Sequence, residues 1–257
     1  MFYRILKAIR KRIIYLIDAI RFQRLKKEIR AKFEDLKLQV KESDECLIVA
    51  NGPSVNSVDF SKYPNHKIIT MNRAYVKWDD LFDRRPFLHV CVNLLVMNEF
   101  KNDMVNLDCP FFCNYSAVKG NLNKYKNNIF PILMGFFIGD RVTKDIASPF
   151  SSSGTVTFVA LNLALLLGFK KIVIVGLDHE FKDKGEKNKT VTMAHDDENH
   201  FFGSYFPKGM QWELPDLERS EKGYRIIQNY CLEQNIVILN ESTYTKCYVF
   251  PRSSSKD

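Results

Sequence analysis

The 257-residue sequence predicts an α/β protein of Rossmann-like type, a mostly parallel sheet with helices on both faces, preceded by a basic amphipathic helix. Three observations carry this. Short segments that are apolar throughout alternate with helical stretches, as strands buried on both faces of a parallel sheet require. Polar, turn-forming residues follow several of those segments directly. The first forty residues lack Pro and Gly and mix apolar positions near helical spacing with Lys and Arg.

Length bounds the organisation. A chain of 257 residues buries one full core and is short for two, so residues 1–41 read as an appendage and 42–257 as one catalytic domain. In residues 2–41 the apolar set Ile5, Ile9, Leu16, Ile20, Leu25, Ile29, Phe33 and Leu36 predicts helix. Residues 1–32 hold eleven Lys/Arg against Asp18 and Glu28, a net of +9 within a total of +8. The remainder is therefore close to neutral, and the overall basicity does not indicate a nucleic-acid partner. The helix suits either an anionic membrane face, where each cation near the surface contributes about 1 kcal/mol, or packing on the body or on a second copy of the chain in a homo-oligomer. No apolar run reaches the roughly 18–20 residues of a membrane span, and "RIIYLIDAI" (12–20) is not followed by a cleavage site. Six cysteines form no CxxC pair and no regular framework. They read as packed thiols in a reducing, cytoplasmic compartment, and no zinc site is expected of them.

From residue 46 the strand candidates are "CLIVA" (46–50), "KIITM" (67–71), "FLHVCV" (87–92), "PFFCN" (110–114), "KIVIVG" (171–176) and "IVILN" (236–240). "TVTFVALNLALLLGF" (155–169) is a strongly apolar helix with Gly168 placed as its stop. The C-terminal region reads as a helix, a last strand and a frayed tail, "SSSKD".

Ligands of such folds sit outside the carboxyl ends of the strands. The residues found there are Asn51, Gly52, Pro53 and Ser54 after the first strand, Asn72 and Arg73 after the second, Asn93 after the third, and Asp178 beyond Gly176. A carboxamide donates and accepts without charge, which suits a base edge or a sugar hydroxyl; taken singly, each Asn equally suits a turn. Gly52 lets a ligand approach the backbone. In "SPFSSSGTV" (148–156), one serine suits a helix N-cap, while Ser152, Ser153 and Gly154 add hydroxyls and backbone N–H groups where a helix dipole favours a phosphate. The long polar segment 176–209 holds His179, His195 and His200. It admits three readings: His200 as a general base, a metal cluster drawn from Asp178, His179, Glu180, His195, Asp196 and Asp197, or a solvated loop.

Together these residues resemble two related groups. One is the bacterial lipooligosaccharide sialyltransferases, whose motifs match Ala50-Asn51-Gly52-Pro53-Ser54, Asn72, Asn93, Ser153-Gly154, Gly176-Leu177-Asp178 and Asn199-His200-Phe201 in order and approximate spacing. The other is similar to the same scaffold and comprises surface-glycan and flagellin-glycosylation proteins together with an archaeal pterin diphosphokinase. The first resemblance implies a CMP-linked sugar donor of the nonulosonate or Kdo type held by Asn51, Asn72, Ser153 and Gly154 with Asn93 nearby. It also implies His200 as base and an inverting, metal-independent transfer with no further cofactor. Glu180 departs from the pattern, standing where those enzymes carry a Tyr near the leaving phosphate. The resulting expectation is a glycosyltransferase acting on a surface glycan or lipid-linked glycan acceptor, peripheral on the inner face of the cytoplasmic membrane. The alternative on the same fold is a Mg²⁺-dependent 6-hydroxymethylpterin diphosphokinase.

Overall fold

The computed structural model describes residues 2–125, 128–135 and 138–253. Most of the expected tail therefore lies outside the described residues. The strands are β1 (Glu45–Val49), β2 (Lys67–Met71), β3 (Leu88–Cys91), β4 (Phe111–Asn114), β5 (Ile129–Ile132), β6 (Lys171–Val175), β7 (Thr190–Thr192), β8 (Gln211–Glu213) and β9 (Val237–Asn240). Seven of them form one sheet in the order β5-β4-β3-β2-β1-β6-β9, and every neighbouring pair is parallel. β7 and β8 make a separate antiparallel pair.

The apolar runs are strands for the reason their composition implies. Cys46 and Ile48 of β1 enter the core on one face of the sheet, and Leu47 and Val49 enter the core on the other. The sheet was read with one strand too few. β5 was missed because Pro131 interrupts it, yet β5 is an edge strand, where a missing N–H costs least.

The helices are α1 (Phe2–Phe22), α2 (Lys26–Leu38), α3 (Trp78–Leu81), α4 (Leu94–Met104), α5 (Tyr115–Val118), α6 (Val156–Leu167) and α7 (Leu217–Glu233). The N-terminal stretch is two helices rather than one, joined by a 3-10 turn at Gln23–Leu25. Ile29, Phe33 and Leu36 of α2 are buried in the same apolar cluster as Ile48 and Ile69 of the sheet. Arg30 of α2 adds a two-pronged bond to Asp145 at 3.0 and 2.7 Å. α6 ends as expected at Gly168, whose φ of +95° is the left-handed geometry that a Cβ disfavours. Its N-cap is Thr155 rather than a serine: Thr155 Oγ1 accepts from Thr157 N at 3.2 Å.

The strand order places the site. The chain moves outward from β1 through β5, then returns to pair β6 on the other side of β1. The reversal lies between β1 and β6, and the crevice outside the carboxyl ends of these two strands is where such sheets bind ligands.

Candidate functional site at the carboxyl edge of the sheet

The chain leaves β1 and folds onto the end of β6. Ala50 N donates to Val175 O and Gly52 N to Gly176 O, both at 2.9 Å. Pro53 then opens a 3-10 turn, Pro53–Ser57, and its fixed φ suits that position. Asp178 clasps the turn from the β6 side. One carboxylate oxygen accepts from Ser54 N at 2.8 Å and the other from the Ser54 hydroxyl. Burial pushes the Asp178 carboxyl up, and the two Ser54 bonds act against that. Both of its oxygens are thus engaged in holding the turn. Gly52 is required by this contact, because a Cβ there would lie 2.7 Å from each Asp178 carboxylate oxygen.

Asn51 and Asn72 occupy equivalent places on adjacent strands, each two residues beyond the paired Val49 and Thr70. Asn51 Oδ1 and Asn72 Oδ1 are both buried and accept no hydrogen bond from the described protein groups. Buried polar atoms are rarely left so. Asn72 has φ +52°, and a buried histidine supports it. His89 Nε2 donates to Asn72 O at 2.8 Å, which fixes the tautomer, and His89 Nδ1 faces Thr70 Oγ1 at 2.9 Å.

Burial lowers the His89 pKa from 6.5 to about 3, against the opposing effect of the Asn72 carbonyl. The unfolded chain therefore binds a proton below pH 6.5 that the native state refuses. Stability is expected to be complete above pH 6.5 and to fall as pH drops from there towards 3, by up to about 1.4 kcal/mol per pH unit from this group. Urea unfolding at successive pH values checks this, and His89→Gln should flatten the slope.

Asn93 and Asn114 have a different use. Asn93 Oδ1 accepts from Leu95 N at 2.9 Å and caps α4; Asn114 Oδ1 accepts from Ser116 N at 3.0 Å and caps α5. The N-terminus of α6 meets the end of β2, where Thr157 Oγ1 lies 3.6 Å from Met71 Sδ. In that loop Ser153 and Gly154 have φ of +43° and +79°. Ser151 Oγ accepts from Ser153 N at 3.1 Å and donates to Asp140 at 2.6 Å. Ser152 Oγ accepts from Gly154 N at 3.4 Å. Arg219 of α7 completes the rim through a two-pronged bond to Asp140 at 3.2 and 3.0 Å.

The opposite wall comes from residues 197–206. His200 Nδ1 bonds Asp197 Oδ2 at 2.7 Å. Asp197 is buried, and its carboxylate also accepts from Asn199 N at 2.9 Å and Phe206 N at 3.2 Å. A carboxylate held by two backbone donors sets the imidazole tautomer and leaves Nε2 as the basic atom. The ring is stacked on Tyr205, with centroids 4.0 Å apart and planes 5° from parallel. The segment is tied to the turns after β1 and β2 at several points. Phe201 N donates to Asn51 O at 3.1 Å, Asn56 Nδ2 donates to Phe201 O at 2.8 Å, Arg73 N donates to the Tyr205 hydroxyl at 3.2 Å, and Arg73 Nη1 donates to Tyr205 O. Asn51, Asn72 and the His200 segment are thus brought to one crevice.

Two sequence expectations change here. Asp197, named above only as a possible metal ligand, is the partner of His200. Glu180 is exposed, accepts from the Tyr244 hydroxyl at 2.5 Å and is ion-paired with Lys246 Nζ. The remaining members of the postulated metal cluster are dispersed. His179 packs towards Glu221 at 3.3 Å, and His195 faces Asp183 at 3.4 Å. Among the described residues no three His, Cys, Asp or Glu side chains are grouped to hold a metal ion. All six cysteines are buried free thiols. An open groove of about 640 Å³ adjoins the turn on its outer side, lined by Val55, Asn56, Val58, Phe60, Phe201 and Phe202 among others.

A solved structure of a variant of the sialyltransferase CST-II in complex with CMP is similar at a TM-score of 0.48 and 12% identity, over 80% of this chain and 85% of that one. No curated protein is matched. The profile of the family described as 6-hydroxymethylpterin diphosphokinase MptE-like matches residues 21–184, which span β1 to β6 and every proposed contact from Asn51 to Asp178; Asp197 and His200 lie beyond it. The chain belongs to the 6-hydroxymethylpterin diphosphokinase MptE-like family.

Proposed function

We propose that the protein is a glycosyltransferase that moves a sugar from a CMP-linked donor to a hydroxyl of a bacterial surface glycan or its lipid-linked precursor. The observation that carries the reading is the Asp197–His200 pair, held at 2.7 Å on a segment bonded to the Asn51 carbonyl. Such a pair is built to take a proton from a hydroxyl near neutral pH. In this reading Asn51, Gly52, Pro53, Ser54 and Asn72 bind the nucleoside, with Asn93 nearby. Ser152 and Gly154 face the phosphate before α6, and Ser153, whose buried hydroxyl donates to Arg219 O at 3.4 Å, shapes the loop from behind. Asp178 is a positioning residue for the Ser54 turn.

The acceptor approaches from the side of the 197–206 segment that carries His200. His200 Nε2 takes the proton from the acceptor hydroxyl, and the oxygen attacks the anomeric carbon on the face opposite the nucleotide. The bond from that carbon to the phosphate oxygen breaks with inversion, and the leaving CMP meets fixed N–H donors. The enzyme works peripherally on the inner face of the cytoplasmic membrane, where such acceptors are assembled.

The family match favours a second reading, a Mg²⁺-dependent pterin diphosphokinase. The residues at the crevice fit that metal poorly, because Asp178 is spent on Ser54 and Asp197 on His200. Incubation with CMP-, UDP- and GDP-sugars, and separately with ATP and 6-hydroxymethylpterin, each in EDTA and in Mg²⁺, separates the two. Release of CMP in EDTA supports the transferase. AMP formation that requires Mg²⁺ and the pterin replaces it with the kinase. Asn51→Ala is expected to weaken nucleotide binding by about 1–3 kcal/mol, the cost of one lost polar contact, with the melting temperature unchanged.

A further inference from the structure

Helix α1 carries an apolar line that the body leaves uncovered. Leu6, Ile9, Ile13, Leu16 and Ile20 follow one another at intervals of three and four, which places them along one face, and each is between 47% and 69% exposed. Ile14 and Ile17 widen the patch. Single exposed apolar residues are ordinary, but a contiguous set of seven on one helix marks a contact surface.

The rotation of the helix is set from its other side. Phe22 is buried edge-on against Tyr115, with centroids 5.2 Å apart. Asp18 is buried and accepts from the Ser116 hydroxyl at 2.9 Å and from Lys119 Nζ at 2.6 and 2.8 Å. Asp18 is the only acidic residue of α1, so the inward pairing leaves the outward side without negative charge. The same helix contains Arg4, Lys7, Arg10, Lys11, Arg12 and Arg21, and the last four are exposed.

The mount also sets where the helix sits. α5 begins directly after β4, so Ser116 and Lys119 stand at the carboxyl edge of the sheet, the edge that carries Asn51 and Asn72. Three strand spacings, about 14 Å, separate the ends of β4 and β1 along that edge.

We propose that the Leu6–Ile20 face of α1 docks flat on an anionic lipid bilayer and holds the carboxyl edge of the sheet at its surface. Charge selects lipid over a second copy of the chain, since pairing two such faces would bring the cationic flanks of both helices together with no acidic residue of α1 on that side to offset them. Cations flanking an apolar line instead match acidic headgroups around an acyl layer. The assignment rests on α1 and its mount, and stands whether or not the transfer chemistry does.

Sedimentation of the full chain with sucrose-loaded vesicles tests it, using phosphatidylcholine alone and phosphatidylcholine mixed with phosphatidylglycerol. Binding is expected only to the anionic vesicles, with loss at high salt. Ile13→Glu combined with Leu16→Glu should lower the bound fraction about tenfold, and Arg10→Ser combined with Arg12→Ser should lower it by a similar factor. Both pairs lie on exposed positions, and circular dichroism and calorimetric CMP titration should be unchanged by them. Failure of the wild-type chain to sediment with anionic vesicles overturns the proposal. So does a dimer, seen by light scattering, that Ile13→Glu with Leu16→Glu converts to monomer.

Discussion

Replacing His200 by Ala is expected to lower kcat by about 10³-fold, the usual contribution of a positioned general base, while nucleotide affinity stays within about twofold. The ring is stacked on Tyr205 and touches Phe206, so some packing is lost with it. His200→Gln keeps more of that volume without a basic ring nitrogen, and should be equally inactive. Asp197→Asn separates orientation from basicity. It leaves a ring at position 200 but presents an amide to Asn199 N, Phe206 N and His200 Nδ1, groups that now meet a carboxylate. Its kcat should fall by about 10²-fold or more, with an altered pH profile that a purely structural defect would not produce. Steady-state kinetics alongside thermal melts check all three. Full activity in His200→Ala would remove the base from the mechanism.

The second large effect is expected at Gly52. Gly52→Ala places a methyl group against the Asp178 carboxylate, which must move and release Ser54 N and Ser54 Oγ. Two bonds to a charged acceptor are lost, and each is worth about 1.5–3 kcal/mol. Nucleotide affinity should drop about 100-fold and stability by about 3–6 kcal/mol. The residue's φ of −68° is open to alanine, so the carboxylate is the obstacle rather than the backbone. Asp178→Ala should therefore reproduce the defect, and adding Gly52→Ala to it should cost little more. Calorimetric titration and urea unfolding of the three variants measure the cycle. Strict additivity would show that the two residues act apart.

The parallel sheet was legible because its strands are apolar at consecutive positions, and the site was legible because the residues after β1, β2 and β6 must face the crevice of such a sheet. β5 was not, since Pro131 reads as a break until the strand is known to lie at an edge. The β7–β8 pair spans three residues on each side with exposed ends, too little for a period to appear. Residue types alone suggest Asp197 only as a possible metal ligand; the folded segment shows its carboxylate on His200. Asn93 shows the converse, for its place after β3 matched that of Asn51 and Asn72 while its carboxamide oxygen caps α4. The direction of α1 was equally hidden, because the apolar line reads the same whether it faces the body or away. The buried Asp18 and its pairing with Lys119 decide it.

The central claim is a pocket for a nucleotide between the Asn51 turn, Asn72 and the serine loop. Calorimetric titration of the full chain with CMP, UMP, GMP and AMP in the presence of EDTA tests it most directly. The account predicts micromolar to low-millimolar binding of CMP ahead of the other three, weakened in Asn51→Ala. Binding of none of the four, or binding of AMP alone and only when Mg²⁺ is restored, would contradict it.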